Sequence, residues 1–459
     1  MKNFDLIIIG GGAAGISTAR APAEKGWQIA MVEQEFMGGT CTNFGCMPTK
    51  ALLSSAHLLH KIKKASEHGI RISQASGDWS SIKKRKDKLI RKLRSGSEKF
   101  PQKYPNITLF RGEASFKSPH QIVVNEETLE ADRIVIAAGA RSAVPPIPGL
   151  DEIDYMTSRE ALDLESLPEK ITILGGGVLA VEFAQIFNRL GTKVSIIEMN
   201  DTILANLDPD ISKLFSEVLK DEGIEILTNA KVNQVSARHQ QILLHLDTSD
   251  GERSIQTNSL MIAAGRKPNS DLLNLEAADI AVDKRGFIKV DDAYATSKEG
   301  VWAIGDIIGG AMFTHKARHD GLYLAKHLVN KKKISNRHFL VPWAVFTDPE
   351  MASVGITEQE ADNKEISYEV YSVPFKKIGR AKVTENTEGF IKMIAEKPGK
   401  RIIGAHIIGE QAGEIIHEFV YAMDNGGTVA DIQDMIHIHP TLSEGIFNTA
   451  MLSESDDYE

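Results

Sequence analysis

Cysteine is almost missing from this chain of 459 residues, which has two, Cys41 and Cys46. So few exclude a secreted scaffold stapled by disulfides, because such scaffolds depend on several bridges. Long apolar runs are missing too. No stretch approaches the ~20 residues a membrane-spanning helix requires, so no membrane association is expected. The first strand begins beside Phe4, which leads us to expect no signal peptide and a cytoplasmic location. Clustered positive charge is scarce as well. Lys and Arg total 53 against 62 Asp and Glu, and a net charge of −9 argues against a nucleic-acid partner. The densest basic stretch, Lys83 to Arg94, carries Leu89, Ile90 and Leu93 at helical spacing and reads as the solvated face of an amphipathic helix.

What is present is ordinary globular composition, 42% hydrophobic and 25% charged. The length suggests about three domains at ~150 residues each.

A repeat organises the first two. Residues 5–9 form an apolar run without alternation, which ends in Gly10-Gly11-Gly12-Ala13-Ala14-Gly15, then a helical stretch and a second strand ending at Glu33. Ile171 to Leu174 leads in the same way into Gly175-Gly176-Gly177-Val178-Leu179-Ala180, a helix, and a strand ending at Glu198. First glycine and acid are 23 positions apart in both copies (10 to 33, 175 to 198). The chemistry behind that spacing is specific. The first glycine makes a tight turn, the second admits a pyrophosphate at the helix N-terminus, and the third small residue lets helix and strand approach. The acid accepts hydrogen bonds from a ribose hydroxyl. Each copy is later followed by a strand running into a small-residue turn, 134–140 with Gly139 and 260–266 with Gly265. The expected fold is therefore α/β, with two Rossmann-like, doubly wound dinucleotide-binding domains. Prolines 145, 146 and 148 mark the linker, and Pro22 falls in the last turns of the first helix.

The stretch Gly38-Gly39-Thr40-Cys41-Thr42-Asn43-Phe44-Gly45-Cys46-Met47-Pro48-Thr49-Lys50 holds both cysteines. In a regular helix a separation of five positions puts Cα atoms ~8–9 Å apart. A disulfide tolerates ~7 Å, so the helix must be distorted or begin between them, and Gly45 and Pro48 supply the means. Cys46 then lies near a helix N-terminus, where a thiolate is stabilised. A close pair in a chain otherwise without cysteine is expected to be redox-active.

Ala303-Ile304-Gly305-Asp306 adds a strand ending in glycine and an acid after the second unit has closed. The order of GGGAAG, cysteine pair, second GGG and late Gly-Asp resembles the FAD-containing pyridine nucleotide-disulfide oxidoreductases from Asp5 to about Met451. The resemblance implies FAD held through Gly10, Gly12, Gly15, Glu33, Thr40, Lys50, Ala114, Gly139, Asp306 and the turn at Thr314 and His315. It implies a nicotinamide dinucleotide on Gly175, Gly177, Glu198, Val232 and Gly265. Cys41 would be the interchange thiol, Cys46 would face the flavin, and Lys50 would pair with Glu182 beside the ring. Glu198 would repel a 2′-phosphate, and residues 199–202 offer no arginine to receive one, so NAD(H) is expected over NADP(H). Ala180 at the third small position argues the other way.

Near the C-terminus, Ile436-His437-Ile438-His439-Pro440-Thr441-Leu442-Ser443-Glu444 resembles the ending of dihydrolipoamide dehydrogenases. Thiol–disulfide exchange needs a proton acceptor for an incoming dithiol, a role that suits His439, with Glu444 setting its tautomer. His437 is expected to be structural. The family implies a homodimer with shared active sites, in which His439 and Glu444 face the partner subunit's Cys41. Expected segments are 1–148 and 269–337 for FAD, 149–268 for NAD, and 338–459 for an α/β dimerisation domain. The substrate expected is a dithiol or disulfide, dihydrolipoamide first, whether free or on a lipoyl-bearing protein. Phe346-Thr347-Asp348-Pro349-Glu350 looks more like mercuric-reductase relatives, yet the further cysteines that such enzymes use for soft metals are missing, and no metal site is expected. A related NAD(P)H-dependent disulfide reductase or a mercuric-reductase-like enzyme is the alternative, and a low-turnover flavoprotein redox sensor or complex subunit is the alternative of another class.

Overall fold

Leu6–Ile9 carries four apolar side chains in a row, and all four are buried. A strand dry on both faces belongs in the middle of a parallel sheet covered by helices. In the computed structural model, which describes residues 1–239, 241–331 and 339–452, that is its place. It pairs in parallel with Ile29–Glu33 on one side and Ile134–Ile136 on the other. Ile107–Arg111 and Val301–Ala303 form the edges of this five-stranded sheet. The last strand returns to the first sheet after the whole second unit has intervened. Pro22 lies inside the helix Ala13–Glu24, as expected.

Lys170–Leu174 occupies the matching position in a second parallel sheet, between Lys193–Ile197 and Ser259–Ile262. Glu225–Leu227 and Tyr155–Met156 lie outside them. The duplication reaches beyond the glycine turns. Each unit also carries an antiparallel meander: Ala114–Ser118, Gln121–Val124 and Glu127–Glu130 in the first, and Lys231–Arg238, Gln241–Thr248 and Gly251–Thr257 in the second. Along Gln241–Thr248 buried and partly exposed residues alternate, as expected of a strand with one face on a core.

The C-terminal region is a five-stranded antiparallel sheet in the order Trp343–Val345, Glu350–Gly355, Ile402–Gly409, Phe390–Glu396, Tyr368–Pro374. Its core joins Ile391, Met393, Ala405 and Ile407 to Phe419 and Ile446 of the covering helices. The architecture is the α/β arrangement expected from the repeats.

The basic stretch is solvated as expected at Lys84, Arg85, Lys88, Arg91 and Lys92, with one exception at Lys86. The stretch lies on the helix Trp79–Glu98, but Lys86 is only 3% exposed. Its ammonium donates to Leu162 O at 2.7 Å and pairs with Asp87 and Asp163. The aliphatic stem is buried and the charge is neutralised, so this one lysine docks against the second unit while the exposed cations of the basic face meet water. Among the described residues no helix is long and apolar enough to cross a membrane.

Candidate active site

Both glycine turns show why their spacing repeats. Gly10 and Gly175 have φ of +110° and +111°, and a Cβ there would lie 2.3 Å from Ala137 O and 2.5 Å from Ala263 O. Only glycine fits such a backbone against a neighbouring carbonyl. Glu33 accepts the Gly11 N–H at 2.8 Å and, on its other oxygen, the Glu35 N–H at 2.9 Å. Glu198 does the same with Gly176 at 2.5 Å and Asn200 at 2.8 Å. Each acid is thus held at the turn whose helix it follows. Gly12 and Gly177 start their helices without a side-chain cap, which leaves first-turn N–H groups for an anion. A Cβ at Gly15 would lie 2.0 Å from Gly10 O, whereas the second unit accommodates Ala180, fully buried, at the matching position.

A cleft of about 450 Å³ opens around the first turn. Of the expected residues, Gly10, Gly12, Glu33, Thr40, Gly139, Asp306 and Thr314 line it, and so does Cys41. Ala114 lines a smaller pocket that shares Gly10 and Glu33. Burial pushes the Asp306 carboxyl up, although Arg266 stands 3.4 Å away. Arg266 also donates to Ala140 O at 2.5 Å, so the residue after Gly265 of the second unit reaches the first unit's cleft. Sequence reasoning passed it over, since its only signal was a cation after the small-residue turn. Val232 is buried with Leu244 and Leu246, and so offers a ligand its backbone alone. His315 packs: Nε2 is 2.7 Å from Pro342 O, and the ring stacks on Phe313.

The cysteines straddle a break. One helix, Gly39–Phe44, ends at Gly45 with φ −139° and ψ −112°, and the next, Cys46–Lys63, starts at Cys46. The chain thereby solves the spacing problem the pair posed. Cys46 is pulled down to about 6, chiefly by a hydrogen bond from Cys41, with Thr314 and Lys50 assisting against burial. The same hydrogen bond, with burial, pushes Cys41 up, so the negative charge of the pair rests on Cys46. Cys46 Sγ is 3.6 Å from Thr314 Oγ1. Of the two cysteines it is Cys41 that lines the cleft; Cys46 touches it through Thr314. One turn along, Lys50 Nζ lies 2.8 Å from both oxygens of Glu182, which is 1% exposed. Phe346 completes this corner: its N–H donates to Glu182 at 3.0 Å, and its ring lies 4.7 Å from the Lys50 ammonium.

In the C-terminal region, His439 Nδ1 is 2.8 Å from Glu444 Oε1, and Glu444 Oε2 accepts the Thr441 N–H at 2.9 Å. Burial works against this carboxylate, but Thr441 and His439 together hold it below the usual range. With Nδ1–H on the carboxylate, Nε2 is left as an acceptor on a side chain that is 77% exposed. His437 differs, being 7% exposed and paired with Glu418 at 2.7 Å.

Residues 4–321 match the family model described as pyridine nucleotide-disulphide oxidoreductase, and residues 341–450 match the dimerisation domain of the same family. The chain is a pyridine nucleotide-disulphide oxidoreductase. Mercuric reductase of Staphylococcus aureus is 33% identical to this oxidoreductase over 99% of the chain and 83% of its own length. Dihydrolipoyl dehydrogenase of Thermus scotoductus is 36% identical over 98% and 97%. The solved HOCl-induced flavoprotein disulfide reductase RclA from Escherichia coli superposes with a TM-score of 0.89 at 32% identity, covering 98% of this chain and 99% of its own. The family binds FAD and works with NAD(P)H. The first cleft fits FAD, with uncapped N–H groups at Gly12 for a pyrophosphate, Glu33 as acceptor for a ribose, and Cys41 on the same cavity.

Proposed function

We propose that this oxidoreductase passes electron pairs between NAD(H) and a dithiol substrate through FAD and the Cys41–Cys46 pair, and that the dithiol is dihydrolipoamide. The observation that carries the reading is the His439–Glu444 dyad, a histidine with a fixed tautomer and an open Nε2 in an enzyme whose other active group is a dithiol. FAD, when bound, relays the electron pair between the cysteines and the nicotinamide. The chain's own residues do the rest. His439 Nε2 takes a proton from the substrate, and the resulting thiolate attacks Cys41 Sγ of the disulfide, so that Cys46 leaves as a thiolate. The His439 imidazolium then loses its first proton to solvent, and the freed Nε2 takes the proton of the second substrate thiol as that sulfur attacks the substrate sulfur of the mixed disulfide. Cys41 departs as a thiolate and receives this second proton from His439, and the substrate leaves as a disulfide. The depressed Cys46 makes it the better leaving group. Lys50, backed by Glu182, sets a positive charge beside the flavin. Gly10, Gly12, Gly15, Glu33, Thr40, Ala114, Gly139, Asp306, Thr314 and His315 hold FAD.

The second unit takes the nicotinamide dinucleotide on Gly175, Gly177, Glu198, Val232 and Gly265. NAD(H) is preferred over NADP(H), because a 2′-phosphate would meet the Glu198 carboxylate. Segments 1–148 and 269–337 serve FAD, 149–268 serves NAD, and 338–459 joins two copies so that His439 and Glu444 face the partner subunit's Cys41. A pair that cycles through the dithiol suits a cytoplasmic setting. A second reading, a reductase of another disulfide or of a metal, is favoured by the stretch 346–350, whose Phe346 sits on the Lys50–Glu182 pair. A substrate panel with NAD(H) and NADP(H) in parallel tests both. Turnover of dihydrolipoamide with NAD supports the first, and reduction of other disulfides or metal ions alone sinks it.

A further inference from the structure

The helix Cys46–Lys63 carries more than a thiol. Cys46, Lys50 and His57 recur at i, i+4 and i+11, which puts them on one face. His57 is half-buried and tied at both nitrogens. Nδ1 is 2.7 Å from Arg189 Nη1, and Nε2 is 3.0 Å from Phe346 O. The same Phe346 donates its N–H to Glu182 Oε1 at 3.0 Å, and Glu182 in turn holds Lys50. One backbone residue therefore links the histidine to the ion pair.

The directions of these bonds are not free. A guanidinium only donates and a carbonyl only accepts. Nδ1 must therefore accept from Arg189, and Nε2 must carry the proton given to Phe346. His57 fits as the neutral Nε2–H tautomer alone. A second proton on Nδ1 would set N–H against N–H and open the clamp. Arg189 cannot easily swing aside. It is 4% exposed, and Glu222 holds it at 2.5 and 3.0 Å and Asp348 at 3.0 Å.

We infer that His57 is a positioning residue for the Lys50–Glu182 pair, acting through the backbone of Phe346, and that its protonation releases that pair. The inference rests on the reading above that Lys50 stands beside the flavin. The groups facing His57 are the Arg189 guanidinium from the helix Val178–Arg189, Asp348 from the turn after Phe346, and Glu222 beyond the helix Pro209–Asp221. His60, one turn further on its own helix, shares all three. Burial first, then Arg189, lowers His57 below its ordinary value, while Phe346 O and the two carboxylates oppose them. The clamp is therefore closed at neutral pH and opens as the medium becomes acidic.

The test is flavin reduction by NADH in the oxidised FAD-loaded enzyme, followed by stopped flow from pH ~5 to ~8. In this state the cysteines are a disulfide and contribute no titration. His57→Gln can accept from Arg189 and donate to Phe346 without titrating, so it should keep the neutral rate and lose the wild-type fall in acid. His57→Leu loses both bonds and should be about tenfold slower at every pH. Glu182→Gln is the control for the underlying reading and should be slow as well. If Glu182→Gln reduces like wild type, the placement of the pair beside the flavin is wrong. If Glu182→Gln is slow while His57→Leu is fast, or while His57→Gln shows the wild-type acid fall, the role of His57 is overturned. A wild-type rate that is flat in acid overturns it too. Should His57→Leu fail to fold, the His57→Gln profile decides.

Discussion

Nδ1 of His439 and Oε1 of Glu444 stand 2.8 Å apart, and the second oxygen of that carboxylate is pinned by the Thr441 N–H at 2.9 Å. The carboxylate therefore holds the ring in one tautomer without leaving its own backbone anchor. His439→Ala should lower turnover of the dithiol by about 10²–10⁴-fold, while flavin reduction by NADH proceeds as in wild type. Glu444→Gln keeps the shape and loses the charge, and a loss of about tenfold is expected.

The proposed sharing of sites between subunits has its own test. Cys41→Ser and His439→Ala homodimers should each be nearly dead. A mixed dimer would hold one site with both groups intact, so refolding the two variants together should restore activity. Confirmed heterodimers that remain inactive would place the site within one subunit.

Cys46→Ser should retain FAD and lose the long-wavelength absorbance that a thiolate beside oxidised flavin gives after two-electron reduction. In wild type the Cys46 thiol is depressed to about 6, so its thiolate is present above that pH and disappears as pH falls through it. The band should fade over the same range in an absorbance titration. Its survival in Cys46→Ser would shift the flavin-facing role to Cys41, the cysteine that lines the cleft.

Glu198 is held by the Gly176 N–H at 2.5 Å and by the Asn200 backbone and side chain, both at 2.8 Å, so it cannot move away from a 2′-phosphate at low cost. NADH should exceed NADPH in kcat/KM. Glu198→Ala should narrow the ratio by about tenfold, chiefly through weaker NADH use. A wild-type preference for NADPH would contradict the assignment and give Ala180 the greater weight.

Lys392 ties the C-terminal sheet to the second nucleotide unit. Its side chain is 2% exposed, and its ammonium lies 3.2 Å from Asp208, 2.7 Å from Asp210 and 2.7 Å from Glu358. These three carboxylates have the spacing of a cation site, and the lysine is the cation they enclose. Lys392→Met should destabilise by about 3–5 kcal/mol, because it strands buried negative charge. Adding Asp208→Asn should recover part of that loss. Urea denaturation of the FAD-loaded protein measures both, and an unchanged midpoint for Lys392→Met would refute the tie.

Much of this protein was legible because local chemistry constrains local sequence. A backbone at φ near +110° against a carbonyl demands Gly10 and Gly175, and the strand–turn–helix–strand unit then sets the distance to Glu33 and Glu198. Cysteines five positions apart required a break, and Gly45 provides it. The meanders were not legible, since short alternating strands carry no residue that a turn or ligand makes obligatory. Nor was the burial of Lys86, whose neighbours in the chain are basic and solvated while its partner Asp163 lies 77 positions away. The sequence by itself determined the two glycine turns with their acids, the Cys41–Cys46 pair across its break and the His439–Glu444 contact, all of them spacings within one or two elements. Tertiary structure alone decided that Arg266 reaches the first cleft, that Cys41 lines it, and that His57, Arg189 and Phe346 meet behind Glu182. Those meetings join residues more than a hundred positions apart, and only the packing of whole domains brings them within hydrogen-bonding distance.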